Sequence, residues 1–241
     1  MILAVPLSTP AVNQRRVTTT CAGQKPSALT RPHRMNKARL EAFSDGVIAI
    51  LITIMVLELK TPHGATWDVL RPLLPVFLTY VMSFVFLGVY WNNHHHMLQA
   101  ADHVDGRVLW ANLHLLFWLS LVPFVTGWMG ENHFEPLPTA GYGVVMLMAG
   151  LSYYILQQVL IAHSHRGHNA RLAAAVGGDG KGKLSIALYA AAIPLAFVNE
   201  WLADAIYVTI LLMWLLPDRR IEGKLHDPGD VAGHGGHYPG V

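Results

Sequence analysis

Cysteine is nearly absent from this 241-residue chain: Cys21 stands alone, so no intrachain disulfide can form and a secreted cystine framework is excluded. Charge is also scarce. Asp, Glu, Lys and Arg make up 13% of the residues and the formal net charge is only +2. That balance excludes a phosphate-binding surface, because the basic residues fall in short clusters beside apolar segments, as membrane flanks do. No Gly-x-Ser-x-Gly elbow and no His-Glu-x-x-His pair is present, so Ser44, Asp45 and the nearby histidines do not make up a recognisable hydrolase or metalloprotease. No enzyme activity is expected.

Apolar length is what the chain has in abundance. Hydrophobic residues make up 53% and the mean hydropathy is +0.36, above a soluble domain and below an all-membrane protein, as polar tails explain. Residues 1–34 are rich in Ser, Thr, Pro and Arg without apolar periodicity, and are expected to be a disordered tail. Arg15-Arg16 lacks the apolar run of a twin-arginine signal, and Met35, at the edge of the organised region, is a candidate true start. Residues 218–241 form a second polar tail after a membrane domain at 35–217. The clusters His163 to His168 and His234 to His237 lack Cys or acidic partners and read as solvated, so no resident metal or cofactor is expected.

Six apolar runs, near 42–59, 69–90, 108–129, 137–162, 184–199 and 201–216, approach the ~20 residues a helix needs to cross a bilayer. The last two are short and separated only by Asn199 and Glu200, which leaves a hairpin or one broken element. Lys and Arg decide for six. Arg31, Arg34, Lys37 and Arg39, then Arg107, then Arg166, Arg171, Lys181 and Lys183, then Arg219, Arg220 and Lys224 all fall on one side, whereas Lys60 and Arg71 face Glu131, Glu135 and Glu200 on the other. Six spans with both termini cytoplasmic satisfy the positive-inside rule. The predicted fold is therefore an all-α integral membrane protein.

The first run carries the chemistry. At 100° per residue, Ile50, Ile54 and Leu57 form one apolar ridge continued by Phe43 and Val47, with Gly46 and Thr53 flanking it. Asp45 points about 140° away from Ile50 and needs a donor from another segment. Candidate donors stand at the same level: Trp91-Asn92-Asn93-His94-His95-His96 at the end of the second run, and Asn112 and His114 at the start of the third. Two readings fit this convergence: a hydrogen-bonded knot that fixes helix packing, and a proton relay or pH-sensitive gate.

Arg39, followed after three residues by Phe43-Ser44-Asp45-Gly46 and then Val47-Ile48-Ala49-Ile50, resembles the signature of the transmembrane protein 175 family of potassium channels in its single-repeat bacterial form. The Trp91 to His96 run and the Asn112 to Pro123 stretch are similar to the family as well, so the resemblance covers about Arg34 to Leu216. It implies a multi-pass protein of the bacterial plasma membrane, a homotetramer with potassium as the permeant ion and no partner beyond itself and the bilayer. It further implies a pore lined by the first helix, narrowed at Ile50, Ile54 and Leu57 in place of a Thr-Val-Gly-Tyr-Gly filter, which this chain lacks. Arg39, Phe43, Ser44 and Asp45 then form a packing and gating motif, with Trp91, Asn93, His94, His95, His96, Asn112 and His114 as its polar partners. Aliphatic rings block ions by dewetting but offer potassium no oxygen, so the hydroxyl of Thr53 is the candidate contributor to selectivity. The alternative is a secondary transporter or proton-coupled carrier that uses Asp45 and the histidines, although no internal duplication supports one.

Overall fold

The computed structural model describes residues 37–99, 101, 104–164 and 180–216. Both expected tails, Met35, the side chains of the His163 to His168 cluster and the His234 to His237 cluster lie outside the described residues. Among those described, every regular element is helical. The first run folds as α1 (Lys37–Ile54), which tightens into a 3₁₀ turn at Met55–Glu58 and stops where Leu59 turns extended, its N–H on the Val56 carbonyl at 3.1 Å. Ser44 and Thr53 do not interrupt α1, because their hydroxyls donate to the carbonyls of Leu40 and Ala49 one turn back.

A short helix, α2 (Trp67–Leu70), and a 3₁₀ turn lead into α3 (Leu74–Gln99), which runs well beyond the apolar stretch and carries Trp91 to His96 within it. α4 (Gly106–Ser120) is capped by Asp105, whose carboxylate accepts the N–H groups of Arg107 and Val108 at 3.0 Å each. α5 (Val122–Glu131) continues it after a break at Leu121; Pro123 falls in the first turn of α5, where a missing N–H costs nothing. α6 (Pro136–Ser164) follows a turn in which His133 and Phe134 adopt φ of 51° and 64°. The Phe134 N–H bonds the Met129 carbonyl at 3.1 Å, closing the end of α5 as a Schellman-type cap. The last two runs form separate helices, α7 (Gly180–Ala196), which holds Pro194 within its last turn, and α8 (Glu200–Leu215), capped by Asn199, which accepts from the Leu202 N–H at 3.3 Å.

Among the described residues, four rods are long and apolar enough to cross a membrane: Lys37–Glu58, Trp67–Gln99, Gly106–Glu131 and Pro136–Ala162, of 22, 33, 26 and 27 residues. α7 and α8, at 17 and 16 residues, are about 26 and 24 Å long, shorter than the ~30 Å of a hydrocarbon core. The rods pack with little between them. A methyl group on Gly130 would lie 2.7 Å from the Cα of Val76, so α5 and α3 touch backbone to backbone. On Gly143 it would lie 2.3 Å from the Tyr207 hydroxyl, which donates to the Thr139 carbonyl at 3.0 Å. Between α3, α5 and α6 the buried Thr126 hydroxyl lies 2.7 Å from that of Ser83, itself 3.2 Å from Tyr142. Small residues and paired hydroxyls at the crossings are what helices use to associate where lipid supplies no hydrophobic drive.

Candidate functional site

α1 is apolar on both faces and only one of them is covered. Leu40, Ser44, Ile48, Leu51 and Met55, spaced by three and four, are buried against the other helices. Opposite them Phe43, Ile50, Ile54 and Leu57 are exposed by 53%, 62%, 45% and 74%, and a methyl group at Gly46 would touch nothing within 4 Å. The 3₁₀ turn rephases this stripe. At 120° per residue Leu57 stacks almost directly over Ile54, and the three side chains cover about 12 Å of axis instead of the roughly 10 Å of a pure α-helix. Thr53 is exposed beside them, its hydroxyl donating within its own helix to Ala49 or Ile50, both at 3.0 Å.

At the α1 entry, one directed chain of hydrogen bonds joins three helices. Buried His94 on α3 donates from Nε2 to Asn112 Oδ1 at 2.7 Å; Asn112 on α4 donates from Nδ2 to Ser44 Oγ at 2.9 Å; Ser44 donates to the Leu40 carbonyl at 2.9 Å. All three side chains are fully buried, and His94 Nδ1 has no partner among the described residues. Beside this chain Asp45 takes its donor from α3: Trp91 Nε1 reaches Oδ1 at 3.1 Å. The His95 ring stacks on Trp91, with centroids 5.9 Å apart, and brings Nδ1 to 3.2 Å from Glu41 Oε1 and 3.9 Å from Asp45 Oδ2.

Other members of the anticipated set stand apart. His114 accepts from Trp118 Nε1 at 3.0 Å and therefore donates from Nδ1 to Ser152 Oγ at 3.1 Å, tying α4 to α6 and not to Asp45. Asn93 bonds the Val89 carbonyl in its own helix at 2.9 Å, and its backbone carbonyl accepts from Tyr153 at 3.4 Å. His96 meets only the edge of the His95 ring, at 5.8 Å, and Arg39 is exposed. Glu41 was not singled out in the sequence, although it stands one helical turn before Asp45 and so on the same face.

Polar contacts also bind the ends of the rods. Lys37 Nζ donates to the Gln99 carbonyl at 2.7 Å, linking the start of α1 to the end of α3, and Lys181 does the same to Leu216 at 3.0 Å across α7 and α8. At the opposite end of α1, Lys60 pairs with Glu131, whose hydrogen bond and charge raise the lysine above its usual pKa.

Comparison with known proteins agrees with this arrangement. The profile of the family described as endosomal/lysosomal potassium channel TMEM175 matches residues 39–123. A potassium channel of Chryseobacterium sp. (strain P1-3) is 49% identical over 193 residues, 80% of this chain and 100% of that protein. A potassium channel of Streptomyces collinus (strain DSM 40733 / Tue 365) is 34% identical over 54% of this chain and 68% of its own length. The crystal structure of a lysosomal potassium-selective channel TMEM175 homolog from Chamaesiphon minutus superposes with a TM-score of 0.66 at 26% identity, covering 74% of this chain and 96% of that one. With a relative matched end to end at 49% identity and four rods able to cross a bilayer, the chain is a multi-pass membrane protein that belongs to the TMEM175 family.

Proposed function

We propose that the chain is one subunit of a potassium-selective leak channel in the plasma membrane, a homotetramer whose pore is lined by α1. The carrying observation is the uncovered apolar stripe of Phe43, Ile50, Ile54 and Leu57, opposite a fully packed face of the same helix. A helix that turned this stripe to lipid would gain nothing from the Gly46 and Thr53 flanks, which suit close approach of a neighbouring copy. Four copies bring four such stripes to one axis, with rings of Ile50, Ile54 and Leu57 as a constriction that excludes water until it widens. Thr53 offers the nearest side-chain oxygen. Its hydroxyl hydrogen is engaged within the helix, which leaves its lone pairs for a dehydrated cation.

In the same reading the chain crosses the membrane six times with both ends cytoplasmic. The contacts of Lys37 with Gln99, and of Lys181 with Leu216, each from the start of one helix to the end of another, support an up-and-down bundle. The short α7 and α8 cross by local thinning of the bilayer. Arg39, Phe43, Ser44 and Asp45 form the packing and gating motif. Ser44 and Asp45 hold α1 to α4 and α3, and Phe43 faces the pore side.

Cysteine substitutions along α1, on a Cys21→Ser background, test the reading by block of potassium current with a thiol reagent. Block at 50, 54 and 57 but not at 48, 51 and 55 is expected; absence of block at all three pore positions refutes it. A current that reverses with the potassium gradient at carrier-like turnover would instead favour transport by the Asp45 cluster.

A further inference from the structure

Two carboxylates and one imidazole meet where α1 enters the bundle, and the hydrogen bonds so far described leave them unequally satisfied. Glu41 and Asp45 stand four residues apart on α1, on one face, where two like charges repel. His95 of α3 points Nδ1 at both. That nitrogen is shut off from solvent and makes no hydrogen bond among the described residues, although Glu41 Oε1 is 3.2 Å away and Asp45 Oδ2 3.9 Å. One donor atom from each residue lies within 4.8 Å of the other two.

We propose that Glu41, Asp45 and His95 form a binding site for a divalent transition-metal ion. A tetrahedral ion with metal–ligand bonds near 2.1 Å places its ligand atoms about 3.4 Å apart, so the 3.2 and 3.9 Å separations need only small side-chain adjustment. One nitrogen and two carboxylate oxygens suit zinc, cobalt or nickel, and the dication cancels both negative charges. Supporting residues are already in place. Trp91 occupies Asp45 Oδ1 and so leaves Oδ2 for the ion, while stacking on the His95 ring. Gln99 holds His95 Nε2 at 2.8 Å, and a turn of its amide presents oxygen to the Nε2–H that a ligated Nδ1 requires. The side chains of Glu41, Asp45 and His95 are 20%, 32% and 30% exposed, so the cluster lies at the edge of solvent, and the same small side-chain adjustment opens Nδ1 to an ion and to a water completing its shell. A bound ion ties α1 to α3 one turn from the Ser44–Asn112–His94 chain. Its effect on potassium flux rests on the channel reading above, whereas binding does not.

The test is calorimetric titration of Zn²⁺ into the full-length protein in detergent. The chain carries 14 histidines and Cys21, so the readout is the difference between variants. His95→Gln and Glu41→Gln should each remove one tight equivalent per subunit, and His63→Gln, an exposed histidine outside the cluster, should remove none. The same stoichiometry and affinity in His95→Gln and Glu41→Gln as in the unsubstituted protein overturns the site. Gel filtration and unfolding midpoints in chelator establish that the variants fold. Trp91→Phe keeps every ligand and should weaken the tight equivalent about 10- to 100-fold; unchanged affinity there counts against the geometry. If Zn²⁺ binds and potassium flux is unaltered, the site stands and the clamp on the pore helix falls.

Discussion

Asn112 serves two helices from one buried amide, and that makes its removal measurably different from removal of either neighbour. Asn112→Ala deletes the bond to Ser44 and the bond from His94, and it strands His94 with neither ring nitrogen partnered at zero exposure. Each net hydrogen bond is worth about 1 kcal/mol, and a stranded buried donor costs a further 1–3 kcal/mol, about 3–5 kcal/mol in all. Bonds between membrane helices are weaker than this bookkeeping suggests, averaging about 0.6 kcal/mol in double-mutant cycles. The expected loss for Asn112→Ala is therefore about 2–4 kcal/mol. Ser44→Ala removes one interhelical bond and leaves Asn112 its His94 partner, for a loss of about 1–2 kcal/mol. The double variant should be less destabilised than the sum by about 0.6–1.7 kcal/mol, the coupling of one interhelical bond. Reversible unfolding in mixed detergent gives all four corners of the cycle. Additivity within about 0.3 kcal/mol, or a greater loss for Ser44→Ala than for Asn112→Ala, refutes the directed chain.

Four further outcomes follow from the packing, the Lys60–Glu131 pair and the stripe. Gly130→Ala forces a methyl group against the Val76 backbone, which cannot yield as a side chain does, and should cost about 1–3 kcal/mol in the same unfolding assay. Lys60 is a fully exposed partner of Glu131 with a raised pKa, so any stability it contributes is complete below its unfolded value of about 10.5 and is lost only as pH rises through the higher folded value. The difference in unfolding midpoint between Lys60→Met and the unsubstituted protein should accordingly stay constant from pH 6 to 9, and a pH-dependent difference in that window would count against the pairing. In reconstituted channels Ile54→Asn should raise resting potassium flux by wetting the constriction, and Thr53→Ala should lower potassium-over-sodium permeability; an unchanged ratio removes Thr53 from selectivity.

Periodicity made the helices of this chain readable and left their contacts largely hidden. The apolar runs located every rod because membrane-competent length is a local property, whereas two short runs parted only by Asn199 and Glu200 stayed open to one broken element until the distribution of Lys and Arg favoured two helices, as the fold has them. The interhelical contact of His114 was not local: beyond Trp118, one turn on, its partner Ser152 is 38 residues away, and a histidine at the right depth faced α6 when the reading had turned it toward α1. The 3₁₀ turn at Met55–Glu58 carries no sequence mark, so Leu57 was placed on the stripe with the wrong phase and still landed on its exposed side. Glu41 escaped notice because a charged residue in the first turns of a membrane helix reads as a solvated entry, and only the fold places His95 against it.

What the sequence did contain is the orientation of α1, written in three consecutive residues. Phe43, Ser44 and Asp45 step by about 100° each, and the fold uses each direction once: Phe43 turns outward and exposed, Ser44 is buried against Asn112 of α4, and Asp45 meets Trp91 of α3. Rotating α1 by a single residue would break both grips together and swing the Ile50, Ile54 and Leu57 stripe off its face. The polar residues therefore govern the exposed stripe without touching it. By fixing the rotation of the helix at its entry, they determine which face the same rigid rod presents two turns further along.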